Sequence, residues 1–135
     1  MVAITNAVSL TFLKDELENT LNAAGARLER FLQETEQEKR DENLSACLEL
    51  FHQVHGICQM LELPAAGMMA EELELAAQDL KTSKDPVAIV AALGGAIVLL
   101  ERYLEYIQIK HREMPELILD GLNELRRLMG KSPIP

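Results

Sequence analysis

Apolar residues recur along this chain at intervals of three and four, and no stretch alternates with period two. Leu10, Leu13, Leu17, Leu21, Ala24, Leu28 and Phe31 form one stripe, as an amphipathic helix facing a core requires. This predicts a first helix from about Ser9 to about Glu36, with Thr5, Asn6 or Ser9 as its cap. The charge run TEQEKRDEN, Thr35 to Asn43, breaks the pattern and reads as a solvated inter-helix turn. From about Glu42 to Glu62, residues Cys47, Leu50, Phe51, Val54, Ile57, Cys58 and Leu61 share a broad arc of a second helix. His52, Gly56 and Gln59 fall on the opposite flank, within about 60° of one another, and His55 lies between flank and arc.

A proline follows at Pro64, a residue tolerated in the first turn of a helix. It opens a third helix to about Lys81, with Leu63, Met68, Met69, Leu73, Ala76, Ala77 and Leu80 facing inward. TSKDP is a helix-start signal, with Asp85 as N-cap and Pro86 at the first position. The fourth helix then runs through an uncharged stretch, Val87 to Leu100, to about His111. Gly94 and Gly95 inside it cost helix propensity, and close packing against a neighbour would explain them. Met114-Pro115 opens a shorter fifth helix that Gly130 ends, and KSPIP reads as a linker. The expected fold is all-α: an antiparallel up-down four-helix bundle with an additional short C-terminal helix. We take 1–130 as one domain and 131–135 as a linker leading to further domains.

Composition narrows the classes. With 135 residues, 48% apolar and 26% charged, the chain can bury a real core as one domain. A net charge of −9 argues against nucleic acid, which requires a basic stripe. The fourteen uncharged residues of the fourth helix fall short of the roughly 20 that span a bilayer, so a buried core helix is expected and no membrane insertion. The N-terminus lacks the basic start and cleavage site of a signal peptide. Cys47 and Cys58 lie eleven positions apart on one helix, about 16 Å of rise, too far for a disulfide between them. Two buried thiols and a cytoplasmic location fit these features.

One polar cluster escapes the apolar pattern: His52, His55 and Gly56, spaced H-x-x-H-G. His52 is placed to meet solvent, and Gly56, one turn on, leaves a gap beside it. A metal site built on His52, His55 and Cys58 is disfavoured, because the sixth position on swings far around the axis and a closed zinc site needs about four ligands. Neither a Ser/His/Asp arrangement nor paired carboxylates for hydrolysis are visible, and there is no glycine-rich phosphate loop. No cofactor or metal is expected.

The stretch HQVHGICQMLELPAAGMMAEELE resembles histidine-containing phosphotransfer (HPt) domains. The resemblance places His52 at the phosphoacceptor position, His55 where a lysine is usual, Gly56 at the gap, and Ile57 and Cys58 at two small positions. The motifs HQVHG-x-x-QM, AEELE and PELIL-x-x-LNELR resemble more closely the N-terminal domain of type IV pilus chemosensory kinases (the ChpA/PilL kind) and the related FimL-type proteins. It implies a phosphocarrier at most, in a phosphorelay controlling twitching motility. His52 would be the nucleophile, and His55, Gly56 and Gln59 would meet the phosphoryl group or the partner. The implied partners are a response-regulator receiver, a histidine kinase domain, or a pilus-regulatory scaffold protein.

Three residues depart from the HPt pattern. His55 replaces a constant positive charge by a residue type that gains and loses its proton around neutral pH. Ile57 is bulky where a small residue is usual. Glu62 stands where many HPt domains have a glycine after the histidine helix. Two readings therefore stay open: a phosphoacceptor at His52, or a phosphotransfer-incompetent docking module of the same pathway. A buried His52 would remove the first.

Overall fold

The computed structural model describes residues 2–135, with side-chain surroundings from Leu10 onward. Five helices follow one another: α1 (Val2–Gln33), α2 (Gln37–Met60), α3 (Pro64–Gln78), α4 (Pro86–Lys110) and α5 (Glu116–Leu128), with a single 3-10 turn at Asp79–Lys81. The first four pack as a ring, α1 on α2, α2 on α3, α3 on α4 and α4 back on α1. Helix α5 lies outside that ring against α3 and α4. No strand occurs among the described residues. The all-α bundle with an extra C-terminal helix is thus the observed architecture.

The core is built from the apolar stripes. Leu17, Leu21, Ala24, Phe51, Val54, Leu73, Leu93, Leu100 and Leu104 are shielded from solvent, and each of the larger side chains so buried contributes roughly 1.5–3 kcal/mol against the chain entropy of folding. Ile118, Leu122 and Leu125 seal α5 onto the bundle. Helix α4 is long and apolar enough to cross a membrane by length and composition, yet Val90, Leu93, Ile97, Leu100, Leu104 and Ile107 spend its apolar face on the core.

Four local expectations are corrected. Helix α1 starts at Val2, ahead of Ser9. The charge run from Thr35 is not a turn: only Glu34–Glu36 separate the helices, and α2 begins at Gln37. Long charged side chains are good helix formers, and cross-contacts hold this turn to α1. The Arg40 guanidinium sits 4.2 Å over the Phe31 ring and donates to the Glu34 carbonyl at 3.1 Å, while Arg27 donates to Asn43 Oδ1 at 3.2 Å. Met68 is exposed rather than inward, and Ala66, Gly67 and Ala70 take the inner positions of α3. Gly94 and Gly95 face open space, where an added Cβ would meet nothing within 4 Å. Close helix approach occurs instead at Gly121 of α5, where a Cβ would collide with Leu99 of α4. The cap at Asp85 is present, its carboxylate accepting from the Ala88 N–H at 3.2 Å.

Candidate functional site

The site forms where α2 and α3 run side by side. Helix α2 ends in a Schellman motif: the Leu63 N–H donates to the Cys58 carbonyl at 2.9 Å and the Glu62 N–H to the Gln59 carbonyl at 3.0 Å. The motif requires a left-handed residue after the cap, and Glu62 occupies it at φ 58°. The glycine expected at this point would be at ease there, whereas a Cβ is strained.

Two further interactions fix α3. Pro64 lacks an N–H, so the first donors of the helix are Ala65 and Ala66, and both give their protons to one carboxylate, Glu113, at 3.1 and 2.9 Å. Glu113 lies between α4 and α5 and also accepts from the Tyr103 hydroxyl at 3.4 Å. A carboxylate at a helix N-terminus is favoured by both the free N–H groups and the helix dipole. Two turns along α3, the buried Glu72 pairs with Arg126 of α5 at 2.7 Å, with Lys131 at 3.9 Å. Helix α3 is therefore clamped at its start and its middle.

On the outer face of α2, the His52 side chain is 73% exposed and His55 is largely covered. The two rings meet edge to face with centroids 6.3 Å apart. Gly56 has open space beside it, and Gln59 is exposed one turn further on. Ile57 is half-buried against the core and does not cover His52. Cys58, below the histidines, is a free buried thiol pushed up to about 12 by burial and then by Glu113, which makes it inert.

Two residues of the site were not read from the sequence. Glu74 of α3 places Oε1 3.2 Å from His52 Nδ1, and Glu71 places Oε2 3.9 Å from His55 Nε2. Both pairs are centred on Leu63, the turn residue, which is the register of an antiparallel hairpin folded there. That signal lay in AEELELA, where Glu71 and Glu74 share one face of a helix, but it needs the turn position to be known. With its proton on Nδ1, His52 donates to Glu74 and leaves the Nε2 lone pair toward solvent. A shallow open depression continues past His55 between Gln59, Glu62, Gly67, Met68 and Glu71.

The surroundings are acidic. From Asp41 to Leu80 the sequence contains no Lys or Arg, while Glu49, Glu62, Glu71 and Glu74 are among its carboxylates. Among the described residues no three His, Cys, Asp or Glu side chains are grouped as a metal site would need.

Comparison with known proteins places this geometry in context. The chain is 34% identical over 134 residues to the scaffold protein FimL of Pseudomonas aeruginosa, an overlap of 98% of this chain and 23% of FimL. It thus spans about a quarter of that relative's length. No solved structure matches. The Hpt domain family matches residues 9–127, from the first helix through nearly all of α5. The chain belongs to the Hpt domain family.

Proposed function

We propose that this domain is a phosphoacceptor module of a bacterial chemosensory phosphorelay controlling type IV pili, acting in the cytoplasm, with His52 as the accepting residue. The observation that carries this reading is the state of His52: exposed on α2, with Nδ1 held at 3.2 Å by Glu74. The carboxylate fixes the ring and its tautomer, as a second group orients a catalytic imidazole elsewhere. Nε2 attacks the phosphorus of a kinase-bound ATP or a receiver phospho-aspartate. The N–P bond forms as the bond to ADP or to the aspartate carboxylate breaks, and the Nδ1 proton stays on its hydrogen bond. Positioning and charge stabilisation dominate such transfers. The domain supplies the first; the partner supplies the metal and the cations, drawn to a face without Lys or Arg. His55, Gly56 and Gln59 border the approach.

A second reading has its own support. The carboxylates around His52 oppose a dianionic phosphoryl group, and the similar FimL is named a scaffold protein. In that reading the same acidic face docks a kinase, receiver or pilus-regulatory scaffold without chemistry.

The test is incubation with phosphorylated receiver, or with kinase domain and radiolabelled ATP, comparing the native chain, His52→Gln and Glu74→Gln. Acid-labile, base-stable label on the native chain, absent from His52→Gln and slower to appear on Glu74→Gln, supports the phosphoacceptor. No label on the native chain, with the partner active on another Hpt domain, leaves the docking module.

A further inference from the structure

Beyond α5 the chain reads Lys131-Ser-Pro-Ile-Pro135. Its two prolines have no N–H and a fixed φ, which favours an extended course at low ordering cost. The segment lies back along α5. Asn123 and Arg126, three apart on one helical face, both bind its backbone. The Asn123 side-chain amide pairs with a single residue: Oδ1 accepts the Ile134 N–H at 2.8 Å and Nδ2 donates to the Ile134 carbonyl at 2.9 Å. Arg126 Nε donates to the Ser132 carbonyl at 2.8 Å. Ser132 and Ile134 are two apart, so successive polar edges of an extended chain are read with period two, and the intervening Pro133 has no N–H that would need an acceptor.

Side-chain selection comes from beneath. The half-buried Ile134, together with Pro135, forms one wall of an apolar groove between α3 and α5 that Ala65, Met68, Leu119 and Leu122 help to line. The hydrogen bonds go to main-chain atoms, so they fit any chain of this shape, and the groove asks only for an aliphatic residue. Three hydrogen bonds and one partly covered isoleucine are set against the ordering of a short segment outside the bundle core, and segments held by so few contacts open readily.

We propose that the α3–α5 groove is a peptide-docking site for an extended segment with an aliphatic residue between two prolines. Ser132–Pro135 is its resident occupant, a strap that an equivalent segment of a partner protein displaces. This groove meets the depression beside His55 at Met68 but contains neither histidine, and it stands whether or not His52 accepts phosphate.

The experiment is a titration of the isotope-labelled full chain with acetylated, amidated KSPIP peptide, followed by amide chemical shifts. Ile134→Asp unseats the strap without removing it. That variant is expected to show saturable shifts at Leu119, Leu122, Asn123 and Arg126, with the native chain requiring at least tenfold more peptide. Adding Asn123→Leu to Ile134→Asp abolishes the shifts. A folded Ile134→Asp chain that gives no shifts, or binding that survives Asn123→Leu, overturns the proposal. Should Ile134→Asp lose its helical circular dichroism, exchange of the native Ile134 amide decides. Protection lost as peptide is added supports displacement, and protection unchanged at saturating peptide refutes it.

Discussion

Replacing Glu62 isolates the left-handed turn between the histidine helix and α3. Its φ of 58° closes the Schellman motif that sets the register of Glu71 and Glu74 against His55 and His52. A left-handed conformation costs a residue with Cβ roughly 1–2 kcal/mol, while glycine returns roughly 0.4–1 kcal/mol of that through its freer unfolded chain. The net gain for Glu62→Gly is about 0.5–1 kcal/mol relative to Glu62→Ala. Alanine is the correct reference, because it removes the Glu62 carboxylate and its interactions while keeping Cβ. For a chain of 135 residues, about 1 kcal/mol corresponds to a rise in Tm of roughly 4 °C. Urea unfolding followed by far-UV circular dichroism measures it, with an unchanged m-value showing that the surface exposed on unfolding is the same in both variants. If Glu62→Ala equals or exceeds Glu62→Gly in stability, strain at this turn is not what the backbone angle implies.

Three other outcomes are expected. Glu113→Ala removes the acceptor of both the Ala65 and Ala66 N–H groups and should cost about 2 kcal/mol in thermal unfolding, on the scale of a lost helix cap, with Glu113→Gln recovering part. Cys47 and Cys58, both pushed up to about 12 by burial, present on the order of one thiolate in ten thousand at pH 8. Ellman's reagent should therefore find no thiol in the folded chain and two after denaturation; fast labelling of the native chain would contradict the burial. Glu101 is held above the usual carboxylate range, first by burial and then by Glu18 and Glu105, with Lys14 opposing. The folded state binds that proton more tightly than the unfolded one, so its contribution is complete at low pH and is lost as pH rises through the raised value. Glu101→Gln should be more stable than the native chain at pH 7, with the gap closing on acidification; a pH-independent gap would refute the assignment.

Periodicity carried most of the fold, because stripes such as Leu17–Leu21–Ala24–Leu28 can be buried in one way only. Turn chemistry carried the start of α4 through Asp85 and Pro86. The errors share a cause in tertiary contact. The charged first two turns of α2 are held by Arg40 on Phe31 and by Arg27 on Asn43, partners that no local window contains. Gly94 and Gly95 attracted a packing role that belongs to Gly121, since a glycine does not itself announce what approaches it. In the candidate site, His52, His55, Gly56 and Gln59 were legible from one helix. Glu71 and Glu74 were not, because their role depends on how far α3 slides along α2, and that distance is set by the Glu62 turn.

The two hydrogen bonds from α3 to Glu113 also make the first turn of that helix depend on a residue far along the chain. Their acceptor is 48 residues downstream of Ala65, so during synthesis the first turn of α3 has no partner until all of α4 has been made. A nascent chain that has passed only α3 can zip α1 against α2 early, since that contact is local. The carboxylates opposite His52 and His55 wait for a distant residue before their helix is anchored. A fragment ending short of Glu113 would therefore present both histidines on a sound helix opposite one whose first turn is frayed.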